Sequence, residues 1–216
     1  MSTPSVRSVN VGATTTQRGA RGRARRTGIV KEPVAAIEVR DPVVRKGAVS
    51  GVLDDVIASK KHHGGRYQAV YAVAREELNW WGAELGRELP DGMFGENLTT
   101  ENLAVDESIV GEQWRIGEAV LQVSGPRVPC ATFATRMGEP RWVRRFTERG
   151  RTGAYLMVIE PGRIRPGDLV EVVARPEHGV TVPTFFAAIC GDHAALEQLL
   201  AADCIADPQF RAELAR

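Results

Sequence analysis

Cys130 lies in the stretch "QVSGPRVPCATF", residues 122–133. Pro126 and Pro129 fix backbone torsions on both sides of Arg127 and Val128, so the thiol hangs on a stiff loop. The positive charge of Arg127 favours the thiolate and lowers the cysteine pKa. A thiolate is a nucleophile, a soft ligand for a transition metal and, once persulfidated, a carrier of sulfur. The competing reading is a buried structural cysteine, and the loop taken alone favours it. Cys190 and Cys204 fall on apolar helix faces and read as structural.

Three further stretches carry groups able to hold an anion. In "SKKHHGGRYQAVY" (59–71), Lys61 and His63 lead into Gly64 and Gly65, whose backbone amides can approach a ligand closely. A solvated basic turn before a strand explains the same residues. In "GMFGENLTTENL" (92–103), Glu96 offers an acceptor and Asn97 a mixed donor–acceptor amide. A capped turn explains these equally. In "GARGRARRTGIVKEP", the arginines 21–26 read as a solvated arm, whereas Lys31 follows an apolar run and can point into a cleft. Together, Lys31, His63 and the glycine pair sketch an anion site beside a rigidly held thiol. No Walker loop, GxSxG elbow or dinucleotide-binding glycine motif is present.

Composition narrows the classes. With 43% hydrophobic and 25% charged residues in 216, the chain can bury a core without disulfides. A net charge of +1 argues against a general nucleic-acid binder. Three cysteines, no CxxC and four scattered histidines give no zinc spacing and suggest a reduced, cytoplasmic protein. No apolar run approaches the ~18 residues of a membrane helix. The basic start has no apolar segment behind it, which argues against a signal peptide.

The elements that must position these groups are mostly short strands. Runs at 6–11, 28–31, 35–39, 48–53, 69–73, 118–124, 154–160 and 168–174 are split by Gly, Pro and Asp, and several alternate apolar and polar residues. Helices are expected over 74–88, with Leu78, Trp81 and Leu85 at helical spacing, and over 139–150, with Trp142 and Phe146 four apart. The tail reads as three short helices, with Pro183 in a first turn, Asp192 as a cap and Asp207-Pro208 as a cap and start. The expected division is a mainly β domain over 1–177, of barrel type with a few helices, and a small α-helical domain over 178–216.

The order "SVNVG … TGIVKEPV … KHHGG … FGENLTTENL … IGEAVLQVSGPRVPC … GRIRPGDLVEVV" resembles the MOSC-domain family, relatives of the C-terminal domain of molybdenum cofactor sulfurase. The resemblance spans about residues 5–175. The tail is similar to the three-helix extension of the bacterial branch linked to 6-hydroxylaminopurine resistance. Ser59 and Ala154 depart from the family, which more often has Asp and Trp there. The resemblance implies a MOSC-type β-barrel that binds the molybdenum cofactor, with no pyridoxal phosphate. It implies an essential cysteine at Cys130, as molybdenum ligand or persulfide carrier. It also implies pocket roles for Lys31, His63, Asn97 and Arg127, while the basic turn with Lys61, Gly64 and Gly65 suits the cofactor's phosphate on physical grounds. The activity implied is reduction of a small N-hydroxylated compound, with electrons from a separate reductase. A sulfur carrier and a non-catalytic cofactor-transfer module are the alternatives. No nucleic-acid or membrane partner is expected, and the tail helices could dock a second copy as a homodimer.

Overall fold

The computed structural model describes residues 2–19, 22, 24–58 and 63–215. The chain runs through β1 (Ser5–Gly12), β2 (Thr15–Arg18), β3 (Ala24–Thr27), β4 (Lys31–Val34), β5 (Ile37–Val39) and β6 (Val70–Ala74). Then follow α1 (Arg75–Leu85), β7 (Leu98–Glu101), β8 (Gln113–Ile116), β9 (Ala119–Pro126), α2 (Ala131–Met137) and α3 (Trp142–Arg149). β10 (Ala154–Glu160), β11 (Gly162–Ile164), β12 (Val170–Ala174), α4 (Val182–Ile189), α5 (His193–Ala201) and α6 (Pro208–Leu214) complete it. The protein is mainly β with helices added, as expected.

One eight-stranded sheet has the order β12-β8-β9-β10-β6-β7-β1-β4, and β2 with β3 and β5 with β11 form two-stranded ribbons. Neighbours in the large sheet are antiparallel except β6 and β7, which are parallel. The large sheet is not closed into the barrel that the sequence suggests. Edge strand β4 is short and contains Pro33, which has no N–H to offer a further strand. The start of β1 nonetheless meets β12 and the turn before it through an antiparallel bridge between Ser5 and Leu169, with the Val6 amide donating to the Asp168 carbonyl at 2.8 Å, the Gly167 amide to the Val6 carbonyl at 2.8 Å and the Val170 amide to the Pro4 carbonyl at 2.9 Å.

β6, "VYAVA", shows why the sheet can carry a site on its outer face. All five residues are buried. Val70, Ala72 and Ala74 join the main core with Leu121, Val123 and Leu156. The alternate residues Tyr71 and Val73 face a second core built by α1, α2 and α3. Strand periodicity sends successive side chains to opposite faces, so a strand covered on both sides is apolar throughout. The second core is aromatic. Trp81 and Trp142 have centroids 4.5 Å apart, and Phe133 meets Trp142 edge-on at 5.3 Å. Cys130 packs at its margin.

The tail helices have a third cluster, with Phe185, Leu199 and Ile205 against Val110 and Val180. Val182 belongs instead to the main core. Asp192 accepts from the Ala195 amide, and Asp207 from those of Gln209 and Phe210, the capping expected for α5 and α6.

Several local expectations shift. Residues 28–30 do not form a strand; of the expected run only Lys31 does, as the first residue of β4. Over 48–53 only Val52 forms a bridge, to Val39. That segment closes on itself, with the Val49 amide donating to the Gly47 carbonyl at 2.7 Å. Helix α2 begins directly after Cys130, where the sequence suggests only a loop.

Candidate functional site

β9 ends in Gly125 and Pro126 and delivers Cys130 to the N-terminal cap position of α2, where its carbonyl accepts from the Ala134 amide at 3.0 Å. The thiol is half-buried. It opens on a cavity of about 830 Å³, which is also lined by Lys31, His63, Gly64, Asn97 and Arg127. Burial pushes the Cys130 thiol up. The His63 side chain, the charge of Arg127 and the Phe133 N–H outweigh burial and bring the pKa down to about 6. Cys130 is therefore mostly thiolate at neutral pH. Replacing His63 by alanine leaves burial opposed mainly by Arg127. The midpoint of the pH profile for alkylation of Cys130 by iodoacetamide is then expected to rise by about one pH unit. An unmoved midpoint would remove His63 from this role.

Arg127 is a buried cation. Its guanidinium carbon lies 4.1 Å from the Phe133 ring centroid and 5.3 Å from that of Tyr71. Its Nη1 has no hydrogen-bond partner among the described residues. A buried donor left open in this way is costly unless a ligand completes it.

Lys31 and Asn97 reach the cavity with their polar groups engaged. Lys31 Nζ pairs with Asp55 Oδ1, and burial lowers the Lys31 pKa despite that partner. Asp55 also accepts from the Gly12 amide at 2.8 Å, Ser50 Oγ at 2.9 Å and Asn97 Nδ2 at 3.1 Å. Asn97 further donates to the Asn10 carbonyl at 3.2 Å and accepts from the Tyr71 amide at 3.3 Å. These two residues thus hold the cavity wall through Asp55. Glu96, beside Asn97, turns inward and accepts from the Gly92 and Phe94 amides and the Thr99 hydroxyl. Burial pushes its carboxyl up to about 7 against those bonds.

The glycine pair has a packing reason. A Cβ on Gly64 would meet the Gly47 carbonyl oxygen at 2.3 Å, and one on Gly65 the Arg45 carbonyl oxygen at 2.4 Å. Gly64 lines the cavity, while Gly65 serves the approach of residues 45–49. Lys61 lies outside the described residues.

Sequence reasoning missed several contributors. Arg25 and Arg26 of β3, read as a solvated arm, line the cavity, as do Lys46 and Asp55. The tail adds Phe185, Ile189, Ile205, Asp207 and Phe210. Only the basic run in β3 left a readable signal; the others depend on contacts far apart in the chain.

The family model described as MOSC domain matches residues 59–171. The chain is 34% identical over 161 residues to the uncharacterized protein YflK of Bacillus subtilis (strain 168), covering 74% of this chain and 70% of that protein. It is 30% identical over 175 residues to a protein named Reductase from Gibberella moniliformis, covering 69% of this chain and 31% of the other. The crystal structure of YiiM from Geobacillus stearothermophilus superposes with a TM-score of 0.76 at 25% identity, covering 98% of this chain and 97% of that one.

Proposed function

Because this chain belongs to the MOSC domain family, we propose that its cavity binds the molybdenum cofactor and that the protein reduces N-hydroxylated compounds. The observation that carries the reading is one cavity holding both a thiol poised as thiolate and a buried guanidinium with an open Nη1. The residues suit the group. A pterin with a phosphate tail needs cations, which Arg127, Arg25, Arg26 and Lys46 supply. The metal needs a soft, deprotonated donor, which Cys130 supplies. A cavity of about 830 Å³ matches the size of cofactor sites.

When bound, the cofactor supplies two-electron redox chemistry. The overall change breaks the N–O bond, takes up two electrons and two protons, and releases the amine and water. The protein's part is to hold the thiolate in place on its proline-braced loop and to balance its charge with Arg127. His63, facing the sulfur, can hold a proton next to the reacting centre. The proposed source of the electrons is a separate reductase.

The first test is elemental and pterin analysis of the protein purified from cells that make the cofactor. Molybdenum near one per chain, with reduction of an N-hydroxylated base by an artificial low-potential donor, is the expected result. Absence of molybdenum from such cells would refute the reading. The low pKa of Cys130 also favours a second one, a persulfide carrier. In that case cyanide would release thiocyanate from metal-free protein and leave the free thiolate.

A further inference from the structure

The cavity is chemically two-sided. Its cations come from β3 (Arg25, Arg26), β4 (Lys31) and the loops that carry Arg45, Lys46 and Arg127. The tail lines it with mostly apolar side chains, Phe185 and Ile189 on α4, Ile205 before α6 and Phe210 on α6, beside the Asp207 carboxylate. The Phe185 and Phe210 rings lie 6.1 Å apart with planes 31° from parallel; Phe185 is buried, so the half-buried Phe210 offers the accessible ring and Phe185 backs it. Phe185 is seated directly on β9: a Cβ at Gly125, where φ is +155°, would come within 3.0 Å of its ring. Gly125 opens the segment that leads to Cys130, so the aromatic wall and the thiol share one support.

An ion pair fixes the wall to the other side. Arg45 Nε donates to Asp207 Oδ1 at 2.9 Å, and Arg45 Nη2 lies 2.8 Å from Oδ2. Asp207 is also the cap of α6, and the Arg45 carbonyl packs on Gly65, two residues after His63. Tail helix and thiol-side loop are thus joined through one carboxylate.

We propose that the tail helices supply the substrate subsite, with Phe210 and Ile189, backed by the buried Phe185 and Ile205, taking the planar, uncharged ring of the N-hydroxylated substrate, and with the Arg45–Asp207 pair holding that wall in position. This rests on the reductase reading above. The tail lining offers ring and methyl groups whose one charged member, Asp207, is neutralised by Arg45, and such a lining selects for a flat, uncharged shape.

The test is calorimetric binding of 6-hydroxylaminopurine to the full-length protein without an electron donor, with thermal unfolding recorded for each variant. Wild type is compared with Phe210→Ala, Phe210→Leu and Asp207→Asn. Phe210→Ala is expected to weaken binding about tenfold, with Phe210→Leu in between. Asp207→Asn keeps a capping oxygen and loses the charge, so it isolates the ion pair and should weaken binding several-fold. In turnover, the preference for the purine over hydroxylamine, which has no ring, should fall in the same order through KM. If Phe210→Ala does not fold, Phe210→Leu decides. No binding by wild type, or wild-type affinity in Phe210→Leu, overturns the subsite. Phe210-dependent binding without any reduction would refute the reductase reading and leave the subsite standing.

Discussion

Cys130→Ser is expected to lose bound molybdenum and to reduce N-hydroxylated compounds at least about 100-fold more slowly than wild type, because a direct ligand should matter more than the outer-shell groups whose loss costs ~10–100-fold. The two side chains have nearly the same shape, so the effect isolates chemistry from packing. The thiol titrates at about 6 in this site and is an anion at pH 7. A serine hydroxyl stays protonated there and offers a hard, neutral oxygen. The change also removes the anion that Arg127 acts on, leaving a buried guanidinium whose Nη1 has no hydrogen-bond partner among the described residues. Cys190→Ser and Cys204→Ser serve as controls. Burial raises both thiols, and neither residue lines the cavity, so both variants should retain metal and activity. Retention of metal and rate in Cys130→Ser would end the ligand assignment.

Asp55→Ala should cost about 3–5 kcal/mol of stability, the range for breaking a buried ion pair from one side. The Asp55 side chain is 2% exposed and that of Lys31 6%. Removing the carboxylate strands the Lys31 ammonium, the Gly12 amide, the Ser50 hydroxyl and one Asn97 N–H in the interior. Burial already lowers the Lys31 pKa; without Asp55 it should fall further and the amine should shed its proton. The double variant Asp55→Ala with Lys31→Met should recover part of the loss, since no charge then remains to be buried. Urea unfolding of the three proteins measures this directly. A loss below about 1 kcal/mol in the single variant would show that water satisfies the stranded groups.

These two residues also mark how far the sequence could be read. The stiffness of the Cys130 loop and the charge beside it were legible because prolines and a neighbouring arginine act locally, but the loop alone favoured a structural thiol and only the family resemblance pointed to a role. Tail caps at Asp192 and Asp207 were legible because they too act locally. Asp55 was not, since its partners Gly12, Lys31 and Asn97 are 43, 24 and 42 residues away. Lys31 and Asn97 were found as cavity residues, yet their hydrogen bonds inside the wall follow from that unseen carboxylate. Strands followed a similar rule. β6 was legible from its apolar run, whereas the ribbon of β2 "TTQR" and β3 "ARRT" is polar and shows no alternation. Helix α2 has two buried residues, Phe133 and Met137, too few to reveal a helical period. Sheet closure was overread, because short alternating strands specify pairing but not whether the two edges meet.

The Arg45–Asp207 pair has a kinetic side. It joins residues 162 apart. Closing a flexible loop of that length costs about 4–5 kcal/mol plus a constant, while a partly exposed ion pair returns about 1 kcal/mol or less. The pair therefore cannot nucleate anything. It forms once the sheet has already drawn the intervening chain together, and α6 comes to rest on a thiol loop that the sheet has assembled beforehand. On the folding pathway the Arg45–Asp207 contact is therefore expected to be a late arrival.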